Sequence, residues 1–144
     1  MARIRSIHPG IFTDEAWSTP PVEARWLMIG ILTEADDNGV FEWKPKQIKI
    51  RIMPGDSLDV EPLLAELASA DIIKRFSLNG KEYGAVRNFC RFQRPRKPKS
   101  WHPIPDEYRT YVGLTDDGSE PFDPETGEVP QKSALARLQL RTVP

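Results

Sequence analysis

From Trp26 to Leu32 the chain reads Trp-Leu-Met-Ile-Gly-Ile-Leu, almost without a polar position, and Thr19-Pro20-Pro21 precedes it. Thr19 suits an N-cap, proline suits the first helical turn, and Glu23 places a negative charge at the positive end of the helix dipole. The pattern predicts a helix from about Pro20 to Ala35, around which the other elements pack. Asn38-Gly39 ends it, because Gly39 supplies the positive φ of a C-cap or tight turn, and Val40 to Trp43 reads as a short strand. Two signals compete in the next stretch. Gln47-Ile48-Lys49-Ile50-Arg51-Ile52 alternates as a half-buried strand does, whereas Pro45 fits the first turn of a short helix. The local pattern alone favours a strand, and Met53-Pro54-Gly55 stops either element. Asp59 then caps a helix running to Ala70, with Val60, Leu63, Leu64, Leu67 and Ala68 as its apolar face and Leu58 placed to staple Leu63. Ile72 to Leu78 and Lys81 to Phe89 form a hairpin around Asn79-Gly80, a pair that accepts the two left-handed positions of a type I′ turn. Such a turn sets Leu78 against Lys81, Phe76 against Tyr83 and Arg75 against Gly84.

Helix, short strand, short helix, second helix and hairpin is the order of a winged helix-turn-helix, a mainly α fold with a small β hairpin. At 144 residues and 39% apolar content the chain has material for one core. Eight of the fourteen prolines lie at or beyond Pro95, which puts the end of the packed domain near Pro105. The expected organisation is therefore a domain over 1–105, with an N-terminal arm and a basic exit, and an acidic Pro/Gly-rich tail over 106–144, partly disordered. Within that tail 115–119 and 121–127 read as turns, and Ser133 to Leu140 as one or two amphipathic turns.

Charge divides the chain in the same place. Residues 1–99 hold 16 Lys/Arg against 13 Asp/Glu, a net of +3, and residues 100–144 hold 4 against 8, a net of -4. Arg87, Arg91, Arg94, Arg96, Lys97 and Lys99 fall in one stretch with no acid between Glu82 and Asp106, and Phe89, Phe92 and Trp101 lie in or beside it. Cations interleaved with aromatics neutralise phosphates while packing on sugars or bases, and arginine suits bidentate phosphate contact. Further cations are expected on the short helix or just before it (Lys44, Lys46, Lys49, Arg51), on the wing (Lys74, Arg75, Lys81), and on an N-terminal arm able to enter a minor groove (Arg3, Arg5). The helix from Asp59 to Ala70 is different. Its solvent face is Glu61, Pro62, Ala65, Glu66 and Ser69, which offers no bidentate base contact and repels phosphate. Two partners follow from this: duplex or single-stranded DNA for the basic groups, and a basic protein for Glu61, Ala65, Glu66 and Ser69.

Several short segments carry a resemblance. Met-Ala-Arg-Ile-Arg-Ser-Ile-His-Pro-Gly at 1–10, Ala-Arg-Trp-Leu-Met-Ile-Gly at 24–30, Asp-Asp-Asn-Gly at 36–39 and Lys-Pro-Lys-Gln-Ile-Lys at 44–49 resemble the N-terminal domain of phage and prophage replication initiators. Asn-Phe-Cys-Arg-Phe-Gln-Arg-Pro at 88–95 is similar to that family's exit from the wing. The resemblance covers residues 1 to about 105. It implies an origin-binding or replisome-organising role in a bacterial cytoplasm, and it tips Pro45 to Ile52 towards helix. Such initiators continue into a second domain that engages the replicative helicase or its loader, whereas here a short acidic remainder follows Pro105.

Other chemistry finds little support. Glu34-Ala35-Asp36-Asp37-Asn38-Gly39 imitates the opening of a calcium loop, but its twelfth position is Pro45 where a bidentate Glu is required, so it reads as a helix-ending turn. His8, His102 and Cys90 lack the paired spacing of a zinc site, Gly80 and Gly84 lie in the hairpin without a Gly-Lys-Ser/Thr ending, and no nucleophile and base pair up. The expectation is a non-enzyme without metal or cofactor. A single cysteine permits no internal disulfide, and Trp26 to Leu32 is too short to span a bilayer. Monomer and dimer remain equally compatible with the pattern.

Overall fold

A computed structural model describes residues 2–114. A 3-10 turn Pro9–Phe12 and α1 Glu15–Ser18 come first, followed by α2 Val22–Glu34, β1 Val40–Glu42, α3 Pro45–Ile52 and α4 Val60–Ser69. The hairpin β2 Ile73–Leu78 and β3 Lys81–Val86 follows, then two short helices, α5 Phe89–Phe92 and α6 Asp106–Arg109. The result is a mixed α/β unit of helices around a three-stranded antiparallel sheet in the order β1-β3-β2.

α2 begins later than a Thr19 cap predicts. Pro20 precedes another proline, which disfavours helical geometry there, and Thr19 instead closes α1, its hydroxyl donating to the Glu15 carbonyl at 2.8 Å. Ala24, Leu27, Met28, Ile31 and Leu32 are buried, while Val22 and Trp26 face solvent. The apolar run is thus core on one side only. Gly30 allows α3 to lie close, since a Cβ at this position would stand 2.3 Å from Ile52 Cγ2.

The ambiguous segment is helical. Ile48 is 6% exposed and Ile50 68%, so the alternation that suggests a strand does not survive in three dimensions; the period of 3.6 turns Ile48 and Ile52 inward instead. Asp59 caps α4 as expected, accepting from Glu61 N at 3.2 Å. Ala68, expected on the apolar face, is exposed. The hairpin follows its turn chemistry, with φ of 54° at Asn79 and 79° at Gly80 and the register Leu78↔Lys81, Phe76↔Tyr83, Arg75↔Gly84. β3 stops at Val86 rather than Phe89, because Asn88 turns left-handed at φ 59° and starts α5. β1 adds the third strand, pairing Val40, Phe41 and Glu42 with Ala85, Gly84 and Tyr83.

The boundary expected at Pro105 falls inside the packed unit. Val112 is 0% exposed, and the carbonyls of Tyr111 and Val112 accept from Asn88 N at 2.8 Å and Cys90 N at 2.7 Å. Tyr108 stacks on Phe76 at 4.7 Å, and Phe76 on Tyr83 at 5.4 Å. Residues 106–114 therefore cover an apolar side of the hairpin, and the folded unit reaches at least Leu114. The turns expected at 115–127 and the amphipathic stretch from Ser133 to Leu140 lie outside the described residues.

Candidate nucleic-acid interface

Two buried carboxylates at the end of α2 organise the surface. Asp36 Oδ1 accepts from Asn38 N and Val40 N, both at 3.0 Å, and so closes the turn into β1. Its Oδ2 accepts from His102 N at 3.0 Å and Ser100 Oγ at 3.4 Å. Asp37 Oδ1 accepts from Arg5 Nη1 at 2.8 Å, and its Oδ2 accepts from Lys99 N at 2.8 Å and from Arg3 Nη1. Burial by itself would raise the Asp37 carboxyl, but the Lys99 N–H and the Arg5 and Arg3 guanidinium groups outweigh it and hold the group below the usual carboxylate range. The helix-ending turn is thus also a clasp that binds the N-terminal segment and residues 99–102 to the core. Every oxygen of the pair already receives N–H or O–H donors, which is a better account of two adjacent acids than a calcium loop.

The clasp corrects the expected N-terminal arm. Arg5 has a side chain 3% exposed; it donates to the carbonyls of Leu32 at 2.8 Å and Ala35 at 2.7 Å, capping the end of α2, and its guanidinium lies over the Phe89 ring. Arg3 N donates to the Thr33 carbonyl at 2.9 Å. Gln93 adds a two-point link, its amide accepting from Ser6 N at 2.9 Å and donating to Ser6 O at 2.7 Å. Residues 3–6 are therefore part of the fold, and Arg5 cannot reach a minor groove without breaking it.

The remaining cations separate into two groups. Around β1, Arg75 lies over the Trp43 ring at 5.1 Å and pairs with Glu82 at 3.2 Å. Lys44 pairs with Glu42 at 2.8 Å, holding that carboxyl below its ordinary value, and Arg51 pairs with Glu34 at 3.8 Å. Lys44 and Arg51 line a groove together with Trp101 and His102, which brings the segment that follows Lys97 and Lys99 to α3. Lys46, Lys81, Arg94, Arg96, Lys97 and Lys99 are exposed. The second group lies elsewhere: Lys74 sits over the Tyr111 ring at 5.0 Å, and Arg87 pairs with Asp71 at 3.6 Å. Lys49 is turned inward on its own helix, donating to the Met53 carbonyl at 2.7 Å, and Arg91 lies against Gly113. Exposed ion pairs hold only about 0–1 kcal/mol, so a phosphate can take Lys44, Arg51 or Arg75 from its carboxylate. The buried Arg5 pair cannot be exchanged on those terms.

Of the three aromatics in the basic stretch, Phe89 is core and Phe92 is half-buried beside His8, 5.7 Å between ring centroids. Trp101 alone presents its ring, 36% exposed. On α4 the residues Glu61, Pro62, Ala65, Glu66 and Ser69 are exposed as expected. Burial pushes the Cys90 thiol up to about 12, with the Asp36 charge adding to it. Among the described residues no group of three or more His, Cys, Asp or Glu side chains is arranged to hold a metal ion, and no helix is long and apolar enough to cross a membrane. Sequence reasoning missed the clasp because its partners are far apart along the chain. Comparison with family models, curated proteins and solved structures finds no match to this chain.

Proposed function

We propose that the chain is a DNA-binding protein of winged-helix type, serving in a bacterial cytoplasm as phage and prophage replication initiators do. The observation that carries the reading is that basic residues from three segments lie around β1: Arg75 of the wing over Trp43, Lys44 and Arg51 before and on α3 in a groove shared with Phe41 and Glu42, and the segment 99–102, which follows Arg96 and Lys97, on the other residues of that groove and on Asp36 and Asp37. The element order and the N-terminal motifs support the same class. Contact is made to the phosphate backbone with modest sequence preference, because α4, the helix that would read bases in a helix-turn-helix, exposes Glu61 and Glu66.

Binding of labelled duplex DNA across a salt series tests it. Four to six phosphate contacts give log affinity a slope of about -4 to -5 against log salt, and replacing Arg96, Lys97 and Lys99 by Gln lowers that slope by up to about three. Duplex binding absent at low salt, or indifferent to salt, would overturn the reading. The acidic face of α4 favours a second one, a protein-interaction module for a basic host factor. Under that reading Glu61→Gln with Glu66→Gln abolishes capture of the partner and leaves DNA untouched.

A further inference from the structure

We propose that the groove between α3 and Trp101 takes one unpaired nucleobase of a single strand, stacked on the indole, with the neighbouring phosphates held by Lys97 and Lys99. The proposal rests on the reading of this surface as a nucleic-acid contact and names the form of nucleic acid it selects.

The indole stands on a fixed backbone. Asp37 N donates to the Lys99 carbonyl at 3.0 Å and Asp37 Oδ2 accepts from Lys99 N at 2.8 Å, while Asp36 Oδ2 accepts from His102 N at 3.0 Å. Trp101 is therefore anchored on both sides by buried carboxylates. His102 packs edge-on against the indole at 6.2 Å, and its own ring rests on Tyr83 at 5.7 Å. An aromatic held in this way loses little freedom when a base stacks on it, which is what makes a stacking platform effective.

The groove itself has the size and lining for a base. Its volume is about 230 Å³, several times the ~30 Å³ share of a water molecule and below the ~300 Å³ at which pockets for drug-sized ligands begin. That is the scale of a single planar heterocycle. Ile31, Phe41 and Ile48 line its floor from the core, nearly all of each side chain being buried, so the Trp101 indole is the stacking surface. Glu34 and Glu42 also line it, paired with Arg51 and Lys44 of the same groove, and their oxygens can accept from base N–H groups; Gln47 both donates and accepts at the rim. Phosphates flanking the base meet Lys44 and Arg51 at the border and the lysines beyond it. Lys99 is two residues from Trp101 and Lys97 four, within one or two nucleotides of a stacked base.

The test compares two labelled ten-unit strands with the full chain: oligothymidylate, and an abasic strand with the same phosphates. Fluorescence anisotropy should show the thymidine strand bound about 5- to 140-fold more tightly. Trp101→Ala should erase that preference while leaving abasic-strand affinity and its salt dependence unchanged, and Trp101→Phe should keep part of it. Urea denaturation of both variants confirms that the fold is retained. Equal affinity of the two strands for the unaltered protein, or a preference that survives Trp101→Ala, would overturn the nucleobase site alone. Failure of both strands to bind at low salt would overturn the single-strand site where a labelled duplex in the same assay still binds, and would overturn the nucleic-acid reading with it where that duplex also fails to bind.

Discussion

Asp37→Asn tests the clasp, because it keeps the shape of the side chain while removing its charge and replacing one acceptor oxygen by an N–H donor. Arg5 then becomes a buried cation without its carboxylate. Breaking one side of a buried ion pair costs about 3–5 kcal/mol. Arg5 keeps the Leu32 and Ala35 carbonyls at 2.8 and 2.7 Å, which places the expected loss near the lower end, about 3 kcal/mol. Arg3, with a side chain 33% exposed, adds at most about 1 kcal/mol. A domain of this size has about 5–15 kcal/mol of stability, so the variant stays folded and the loss can be measured from urea midpoints at constant slope. Arg5→Met combined with Asp37→Asn removes both charges, and the pair should lose less than the sum of the single changes by about 1–3 kcal/mol. Acid supplies a second readout. Because the folded Asp37 carboxyl is lowered, its contribution is present above the unfolded value of about 3.9 and disappears as pH falls through the folded one. Wild type and Asp37→Asn should therefore converge in stability on acidification below about pH 4. A loss under about 1 kcal/mol at neutral pH, or strict additivity of the two substitutions, would refute this account of the clasp.

Three further outcomes are expected. Truncation after Pro105 should give a broadened or aggregating thermal transition, whereas truncation after Leu114 should melt as cooperatively as the full chain, since only the first removes Val112 and the Tyr108 stack; calorimetry compares them. Cys90 should resist alkylation by iodoacetamide at pH 8 in the native protein and react fully in urea, because the thiol is buried and pushed up to about 12. Glu61→Gln with Glu66→Gln should leave duplex affinity unchanged or raise it, with little effect on stability; a loss of affinity would place DNA on α4 after all.

Elements whose causes are local could be read from the sequence. Asn79-Gly80 dictates a turn that accepts only one register, and Asp59 announces α4, so both appear where the pattern puts them. α3 misleads because eight residues are too few for a helical period to stand out against the accidental alternation of Gln47 to Ile52; the solvent position of Ile50 settles it. The basic residues were visible, but their use was not. Nothing in the spacing of Arg5, Arg87 or Lys74 tells that one caps a buried helix end while the others face Asp71 and Tyr111. The boundary moved for a similar reason: the prolines around 95–105 look like the exit from a domain, yet Tyr108 and Val112 return to its core.

The clasp also carries an order of assembly. Asp37 leaves the ribosome early, and Lys99, whose N–H it needs, follows 62 residues later. At about 5–20 residues per second the carboxylate waits several seconds, hydrated and paired with Arg3 and Arg5 at most. The N-terminal half can form helices in that interval, but burial of Asp36 and Asp37 completes only when the strap from Lys99 to His102 arrives. Until then the groove beside α3 lacks one wall. The surface beside α3 is consequently completed late in synthesis, since until residues 99–102 are free of the ribosome the chain has the cations of α3 but not the Trp101 wall of the groove.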